Sequence, residues 1–159
     1  MATLPAITFA RHFRMLLATL AFLALATAQQ DDPWKKSDLI QPEALAARLT
    51  DSSAAKPPII FVGFPVLYRS SHIPSAILAG PASKTEGIEA LRLVVAKLPH
   101  DAEVVIYCGC CPFDRCPNVR PAFAELRKLG FTKVTLLNIP TNMSADWISK
   151  GYPVERPKN

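Results

Sequence analysis

The four cysteines of the chain lie within nine residues, at Cys108, Cys110, Cys111 and Cys116. A thiolate is both a strong nucleophile and a ligand for soft metal ions, so a cluster of thiols can serve either kind of chemistry. Disulfides that stabilise a secreted domain close long loops, whereas bridges inside so short a segment would restrain very little of the chain. The spacing therefore indicates a chemical site rather than a set of structural bridges.

The elements around this loop are a predicted strand over residues 103–107 and a predicted helix over residues 118–129. Short apolar runs predict further strands at 58–62, 76–78 and 134–137, and apolar residues at helical spacing predict helices at 42–49, 85–98 and 145–150. Strands that alternate with helices favour an α/β fold with a central parallel sheet and helices on both faces. Sites in such sheets collect at the carboxyl ends of strands, which is where Cys108 lies.

The amino-terminal segment has the features of a secretory signal peptide, which we assign to residues 1–28. Arg11 and Arg14 precede an apolar run over residues 15–26, and small residues follow at 26–28. The run is shorter than the roughly 20 residues that a membrane span needs, so we predict cleavage near Ala28 and no stable membrane anchor. Residues 29–36 are then a linker and residues 37–157 one domain, exported to the periplasm or secreted.

The composition limits the partners. The net charge is +5, but the basic residues are scattered and are not interleaved with aromatic residues, so we predict no nucleic-acid partner. The spacing C-x-C-C-x4-C does not match common zinc sites, and the loop contains no histidine, so we predict no metal and no cofactor. Soft ions such as Cu(I) tolerate crowded thiolates, however, which leaves a soft-metal-binding protein as one alternative. The sequence gives no indication of the oligomeric state.

The order of several motifs resembles that of rhodanese-like domains. The strand ending at Cys108, the loop, the helix and the sequence Leu129-Gly130-Phe131 resemble the active-site region of that family. The resemblance covers residues 37–155, and its other landmarks occur in family order: Asp38-Leu39-Ile40 with Pro42-Glu43-Ala44-Leu45, the turn His72-Ile73-Pro74-Ser75-Ala76, and the closing residues Met143, Trp147, Gly151, Pro153 and Val154.

This resemblance implies a sulfurtransferase, and with the predicted signal peptide an exported one. A thiolate would accept a sulfane sulfur from a small sulfur-containing anion such as thiosulfate, and the resulting persulfide would pass it to a thiol or another thiophilic acceptor. Backbone N–H groups of the loop and a helix N-terminus would lower the pKa of the nucleophilic thiol. Arg115 and Arg120 would bind the anionic donor.

The nucleophile and its partner are predicted from position in the chain. We favour Cys108, because the end of a strand fixes a thiol in space, with Cys110 and Cys111 as alternatives. Cys110 would restore the C-x4-R spacing of the family to Arg115. Cys116, near the start of the helix, is the predicted resolving thiol.

Two departures from the family keep a further alternative open. The family usually carries an Asp, often with an Arg, after the second strand, and residues 61–65 contain neither. The cysteine loop is also longer than usual. A non-catalytic thiol or redox-sensing module that kept the fold therefore remains an alternative to catalysis.

Overall fold

The structure is a computed structural model that describes residues 32–156. The predicted signal peptide, residues 1–28, and the first residues of the predicted linker lie outside the described residues. Among the helices of residues 32–156, none combines the length and the apolar character that a membrane span requires.

The described residues alternate between strands and helices. The strands are β1 Leu39–Ile40, β2 Ile59–Phe61, β3 Ile77–Leu78, β4 Glu103–Tyr107 and β5 Lys133–Leu137. The α-helices are α1 Pro42–Thr50, α2 Pro65–Ser70, α3 Thr85–Val95, α4 Val119–Lys128 and α5 Met143–Asp146, and short 3₁₀ helices span Lys36–Asp38, Phe113–Arg115 and Ile148–Lys150.

The strands form one five-stranded sheet in the order β1-β5-β4-β2-β3, and every pairing is parallel. The strand β4 is central, with Ile106 opposite Ile60 of β2 and Leu136 of β5. The predicted parallel sheet is thus confirmed, and the carboxyl end of its central strand leads directly into the cysteine loop.

Helices cover both faces of the sheet, as the sequence predicted. Side chains alternate along a strand, so Val104, Ile106 and Cys108 of the β4 segment face α3 and α4, while Val105 and Tyr107 face the layer that contains α1. The sulfur of Cys108 therefore lies on the side of the sheet where α4 begins.

Three details of the elements differ from the sequence predictions. The helix α2 was not predicted, because its six residues are too few to give a helical pattern. The helix predicted over 85–98 ends at Val95, and Leu98 N–H instead closes a turn onto the Val95 carbonyl. The helix predicted over 145–150 is two separate turns, α5 and the 3₁₀ helix Ile148–Lys150.

The described part of the predicted linker packs against the domain. The ring of Trp34 contacts Phe113 of the cysteine loop at 5.3 Å and Phe123 of α4 at 5.8 Å between ring centroids. The guanidinium of Arg120 lies over the same ring at 5.3 Å and forms an ion pair with Asp32 at 2.5 Å. Asp32 and Trp34 of the predicted linker therefore contact both the cysteine loop and α4.

Candidate active site

The cysteine loop brings its sulfur atoms into one cluster. Cys108 Sγ lies 3.2 Å from Cys110 Sγ, which in turn lies 3.1 Å from Cys111 Sγ. The sulfurs of Cys108, Cys110 and Cys116 all lie within 4.8 Å of one another. The four cysteines are free thiols. The fold thus places Cys116, which lies eight positions farther along the chain, next to Cys108 at the end of β4.

The sulfurs differ in their access to solvent. Cys108 and Cys116 are each only 2% exposed, whereas Cys110 and Cys111 are half-buried. A cavity of about 290 Å³ opens above the end of β4, and Cys108, Gly109 and Cys110 form one side of it. Its other lining residues are Phe61, Leu67, Ser70, Ser71, Asn142, Met143, Ser144 and Ile148. A small reactant can therefore reach the loop through this cavity.

The backbone of the loop is fixed at two points. Gly109 has a φ of +71°, and its carbonyl accepts a hydrogen bond from Met143 N–H at 2.9 Å. A side chain at this position would be strained, and its Cβ would lie 2.9 Å from Met143 Cβ. Farther along the loop, Phe113 N–H donates to the Ile139 carbonyl at 3.0 Å. These contacts hold the loop against the segment that follows β5.

Asn118 connects the cluster to the start of α3. Its side chain is fully buried, its Nδ2 donates to Cys108 Sγ at 3.3 Å, and its Oδ1 accepts from Ser83 N–H at 3.0 Å. Asn118 was not among the predicted site residues. A buried amide with both ends engaged is a positioning group, and nothing in the local sequence distinguishes it from an ordinary residue at a helix start.

The best-stabilised thiolate in the cluster is that of Cys116. Its pKa is lowered to about 6, first by a hydrogen bond from Cys108 and then by hydrogen bonds from the backbone N–H groups of Asn118 and Val119, although burial opposes this shift. Those N–H groups belong to the start of α4, where the helix dipole also favours negative charge. The amide cradle predicted for the nucleophile therefore surrounds Cys116.

The expectation that the pKa of Cys108 is lowered was wrong. The hydrogen bond to Cys116, burial and the negative charge of Cys116 all raise the pKa of Cys108. The physical reason is that side chains alternate along β4 and its continuation, which directs Cys108 into the apolar layer between the sheet and α4. Burial also raises the pKa of Cys111, to about 12.

The segment after β2, where the sequence lacks an acidic residue, is sterically restricted. Gly63 lies in this segment, and a Cβ placed on it would lie 2.9 Å from Cys108 Sγ and 2.7 Å from the ring of Phe61. The sulfur of Cys108 thus occupies space that a side chain at position 63 would need. The glycine and the inward direction of Cys108 depend on each other.

The two arginines predicted to bind an anion, Arg115 and Arg120, both lie outside the cavity above β4. The side chain of Arg115 is 83% exposed, and its nearest charged neighbour is Asp114 at 3.9 Å. Arg120 is engaged by Asp32, the Asp114 carbonyl and the ring of Trp34. Neither arginine lines the cavity above β4, and the described residues that line it include no lysine or arginine.

Comparison with solved structures identifies the architecture. A solution structure of the rhodanese-like domain of a protein from Anabaena sp. matches with a TM-score of 0.57 and 22% identity, covering 76% of this chain and 80% of that chain. A crystal structure of the same Anabaena protein gives a TM-score of 0.56 and 20% identity, covering 74% and 91% of the two chains. The chain has the rhodanese-like fold. No protein-family model matches the sequence, and no curated protein matches it significantly.

The resemblance seen in the sequence is therefore confirmed at the level of the fold. In this rhodanese-like domain the cysteine loop follows the central strand, as the motif order predicted, and Cys116 lies beside Cys108. His72 of the family-like turn is buried, stacked on Tyr68, and its Nδ1 is hydrogen-bonded to the Tyr68 carbonyl at 2.8 Å. Its role is structural.

Proposed function

We propose that this exported rhodanese-like protein carries sulfane sulfur as a persulfide on Cys108, at the base of the cavity above β4. The observation that supports this most directly is the arrangement of the thiols: Cys108 and Cys110 border the cavity, and Cys116 lies within 4.8 Å of both. One sulfur can thus receive an atom from the cavity while a second takes up its proton.

In the first half-reaction, the sulfur of Cys108 attacks the outer sulfur of the donor while its thiol proton passes to the Cys116 thiolate. The transfer accompanies the attack, because the raised pKa of Cys108 disfavours a free Cys108 thiolate. A sulfur–sulfur bond forms at Cys108, the bond between the outer sulfur and the rest of the donor breaks, and the donor leaves with the electron pair of that bond. No external oxidant is needed, because the donor already supplies sulfur in the sulfane oxidation state.

In the second half-reaction, an acceptor thiolate entering the cavity attacks the outer sulfur of the persulfide. The new persulfide leaves on the acceptor, and Cys108 is released as a thiolate that regains the proton from Cys116. Cys110 lies 3.2 Å from Cys108 and could also intercept the persulfide, which would give a Cys108–Cys110 disulfide and hydrogen sulfide. Cys110 therefore competes with Cys116 for the role of resolving thiol.

The cavity favours a donor of low charge. Binding a dianion such as thiosulfate calls for cationic groups, and the described lining residues offer serine hydroxyls, one asparagine and apolar side chains instead. An organic persulfide, whose body is a neutral thiol compound, suits this lining better. We therefore place organic persulfides ahead of thiosulfate as donors and organic thiols as the acceptors.

The test is mass spectrometry of the reduced full chain after brief exposure to the persulfide of 2-mercaptoethanol, whose body is uncharged, with thiosulfate in a parallel sample. We expect one added sulfur atom per chain, located on Cys108 by peptide mapping, with a larger yield from the persulfide. Cys108→Ser should abolish the adduct, while Cys111→Ser, the matched control, should retain it. An adduct that survives in Cys108→Ser would reject Cys108 as the carrier.

A redox-sensing module is the second candidate, and the contact of 3.1 Å between the sulfurs of the adjacent residues Cys110 and Cys111 favours it. Mild oxidation without any sulfur donor separates the two functions. A sensor forms a disulfide that thioredoxin reduces and accepts no sulfur from a persulfide. A sulfur carrier forms the adduct described above.

A further inference from the structure

The cysteine spacing matches no common zinc site and left a soft-metal site only as an alternative, but the fold assembles one set of ligand atoms. Cys108, Cys110 and Cys116 place their sulfurs within 4.8 Å of one another, and no histidine, aspartate, glutamate or further cysteine of residues 32–156 joins this set. A metal–sulfur bond of about 2.3 Å puts the three sulfurs of a trigonal site about 4 Å apart. The sulfurs need only small movements to reach that geometry.

We propose that Cys108, Cys110 and Cys116 form a three-coordinate thiolate site for a soft, monovalent cation, with Cu(I) as the expected ion. This site is independent of the proposed sulfur transfer, because it needs no sulfur donor and involves no change of oxidation state. On binding, three copper–sulfur bonds form, and each thiol that is still protonated releases its proton to solvent.

The number of ligands favours Cu(I) over Zn²⁺. Structural zinc sites in proteins take four ligands in a tetrahedron, and the fourth thiol, Cys111, is not within 4.8 Å of all three others. Cys111 contacts only Cys110 among the short sulfur–sulfur distances, at 3.1 Å. Thiolates are soft ligands that suit Cu(I) as well as zinc, so the number of ligands decides between the two ions.

The surroundings compensate the charge of such a site. Three thiolates and one monovalent cation carry a net charge of −2, which an apolar layer alone would not accommodate. Asn118 Nδ2 donates to Cys108 at 3.3 Å, and the N–H groups of Asn118 and Val119 point to Cys116 at the start of α4. These donors stabilise the sulfurs from the protein side and also orient them.

The half-buried Cys110 gives the ion an entry path. Cys110 borders the cavity above β4, whereas the other two ligands are almost completely buried. A cation carried by a small chelator or by a partner's thiols can contact Cys110 first and then exchange onto Cys108 and Cys116. Bound copper would block the persulfide site, so metal-loaded protein should not accept sulfur.

The experiment is an anaerobic titration of the reduced full chain with Cu(I) supplied as its bicinchoninate complex. We expect the chain to withdraw one Cu(I) from the chelator, with a matching rise in the ultraviolet sulfur-to-copper absorption. Cys108→Ser, Cys110→Ser and Cys116→Ser should each weaken the affinity at least about 100-fold, whereas Cys111→Ser should stay within about threefold of the parent chain.

The parent chain alone also tests the proposal, so a variant that fails to fold does not decide it. X-ray absorption at the copper edge should give three sulfur neighbours. Two or four sulfurs, no removal of Cu(I) from bicinchoninate, or a loss in Cys111→Ser equal to that of the other variants would overturn the site. Because no sulfur donor is present, these results are independent of the persulfide test.

Discussion

The side-chain amide of Asn118 donates a hydrogen bond to Cys108 Sγ at 3.3 Å and so joins the start of α4 to the end of β4. Its oxygen at the same time accepts from Ser83 N–H at 3.0 Å. One buried side chain therefore fixes the position of the proposed sulfur carrier relative to two helices on the same face of the sheet.

Asn118→Ala should destabilise the domain, because it empties a fully buried site and removes the partner of both Ser83 N–H and Cys108 Sγ. We expect a loss of about 1–3 kcal/mol in the free energy of unfolding, measured by urea denaturation. Asn138→Ala is the matched control: its amide bonds Gln41 at the surface, and its loss should cost less than about 0.5 kcal/mol. Equal effects at the two positions would contradict a positioning role for Asn118.

The cluster of metal-free, reduced protein should contain one thiolate at neutral pH. Ultraviolet absorption of the thiolate should titrate near pH 6, the lowered pKa of Cys116, and this step should disappear in Cys116→Ser but persist in Cys111→Ser. If the first thiolate of the parent chain appears only above pH 8, the N–H groups at the start of α4 do not stabilise the Cys116 thiolate.

The same shifts predict how stability depends on pH. Because folding lowers the pKa of Cys116, its contribution is fully present above the unfolded value of about 8.5 and is lost as the pH falls through about 6. Folding raises the pKa of Cys108, so that contribution is present below about 8.5 and is lost at higher pH. The difference in unfolding free energy between the parent chain and Cys116→Ser should therefore grow between pH 6 and about 8.5.

Gly63→Asp, which places an acidic residue in the segment after β2, should destabilise this domain. The new Cβ would lie 2.9 Å from Cys108 Sγ, so the sulfur must move, and we expect a loss of about 1–3 kcal/mol in unfolding free energy. The variant should also alter the thiolate titration. Gly151→Ala serves as the control: it suffers backbone strain at a φ of +73° but has no atom within 4 Å, and the titration should stay unchanged.

A cation placed at the rim of the cavity should shift donor preference toward thiosulfate. Ser70 lines the cavity and is exposed in the last turn of α2, where a positive charge is tolerated. Ser70→Lys should raise kcat/KM for thiosulfate on the order of tenfold at low salt, with little change for an organic persulfide. Ser52→Lys, at the exposed turn before β2, should leave both unchanged. An equal gain in kcat/KM from Ser52→Lys would show that the effect does not depend on a positive charge beside the cavity.

Local sequence patterns predict much of this architecture. The strand β4 was predicted at its observed bounds, since a run of buried β-branched residues flanked by turn residues has few other interpretations. The position of Cys108 after that strand followed directly. Long-range pairings could not be predicted: Arg120 donates a hydrogen bond to Asp32, 88 residues away, and no local pattern indicates this contact.

The electrostatics of the cluster could not be predicted from the sequence either. The lowered pKa of Cys116 depends on how the loop folds back so that the N–H groups of Asn118 and Val119 reach its sulfur. That path is set by remote backbone contacts, such as Phe113 N–H to the Ile139 carbonyl, which leave no periodic pattern in the sequence. The direction of Cys108, by contrast, was implicit in the alternation of Val104, Ile106 and Cys108.

That alternation has a practical consequence for protein engineering. The hydroxyl of Tyr107, the residue next to Cys108, accepts a hydrogen bond from Ile73 N–H at 3.0 Å on the opposite side of the sheet. The neighbouring residues Tyr107 and Cys108 thus pack into layers on opposite faces of the sheet. Mutant libraries that vary the residues around the thiols can leave the layer beneath Tyr107 untouched, so selection for new sulfur or metal chemistry would start from an intact half of the core.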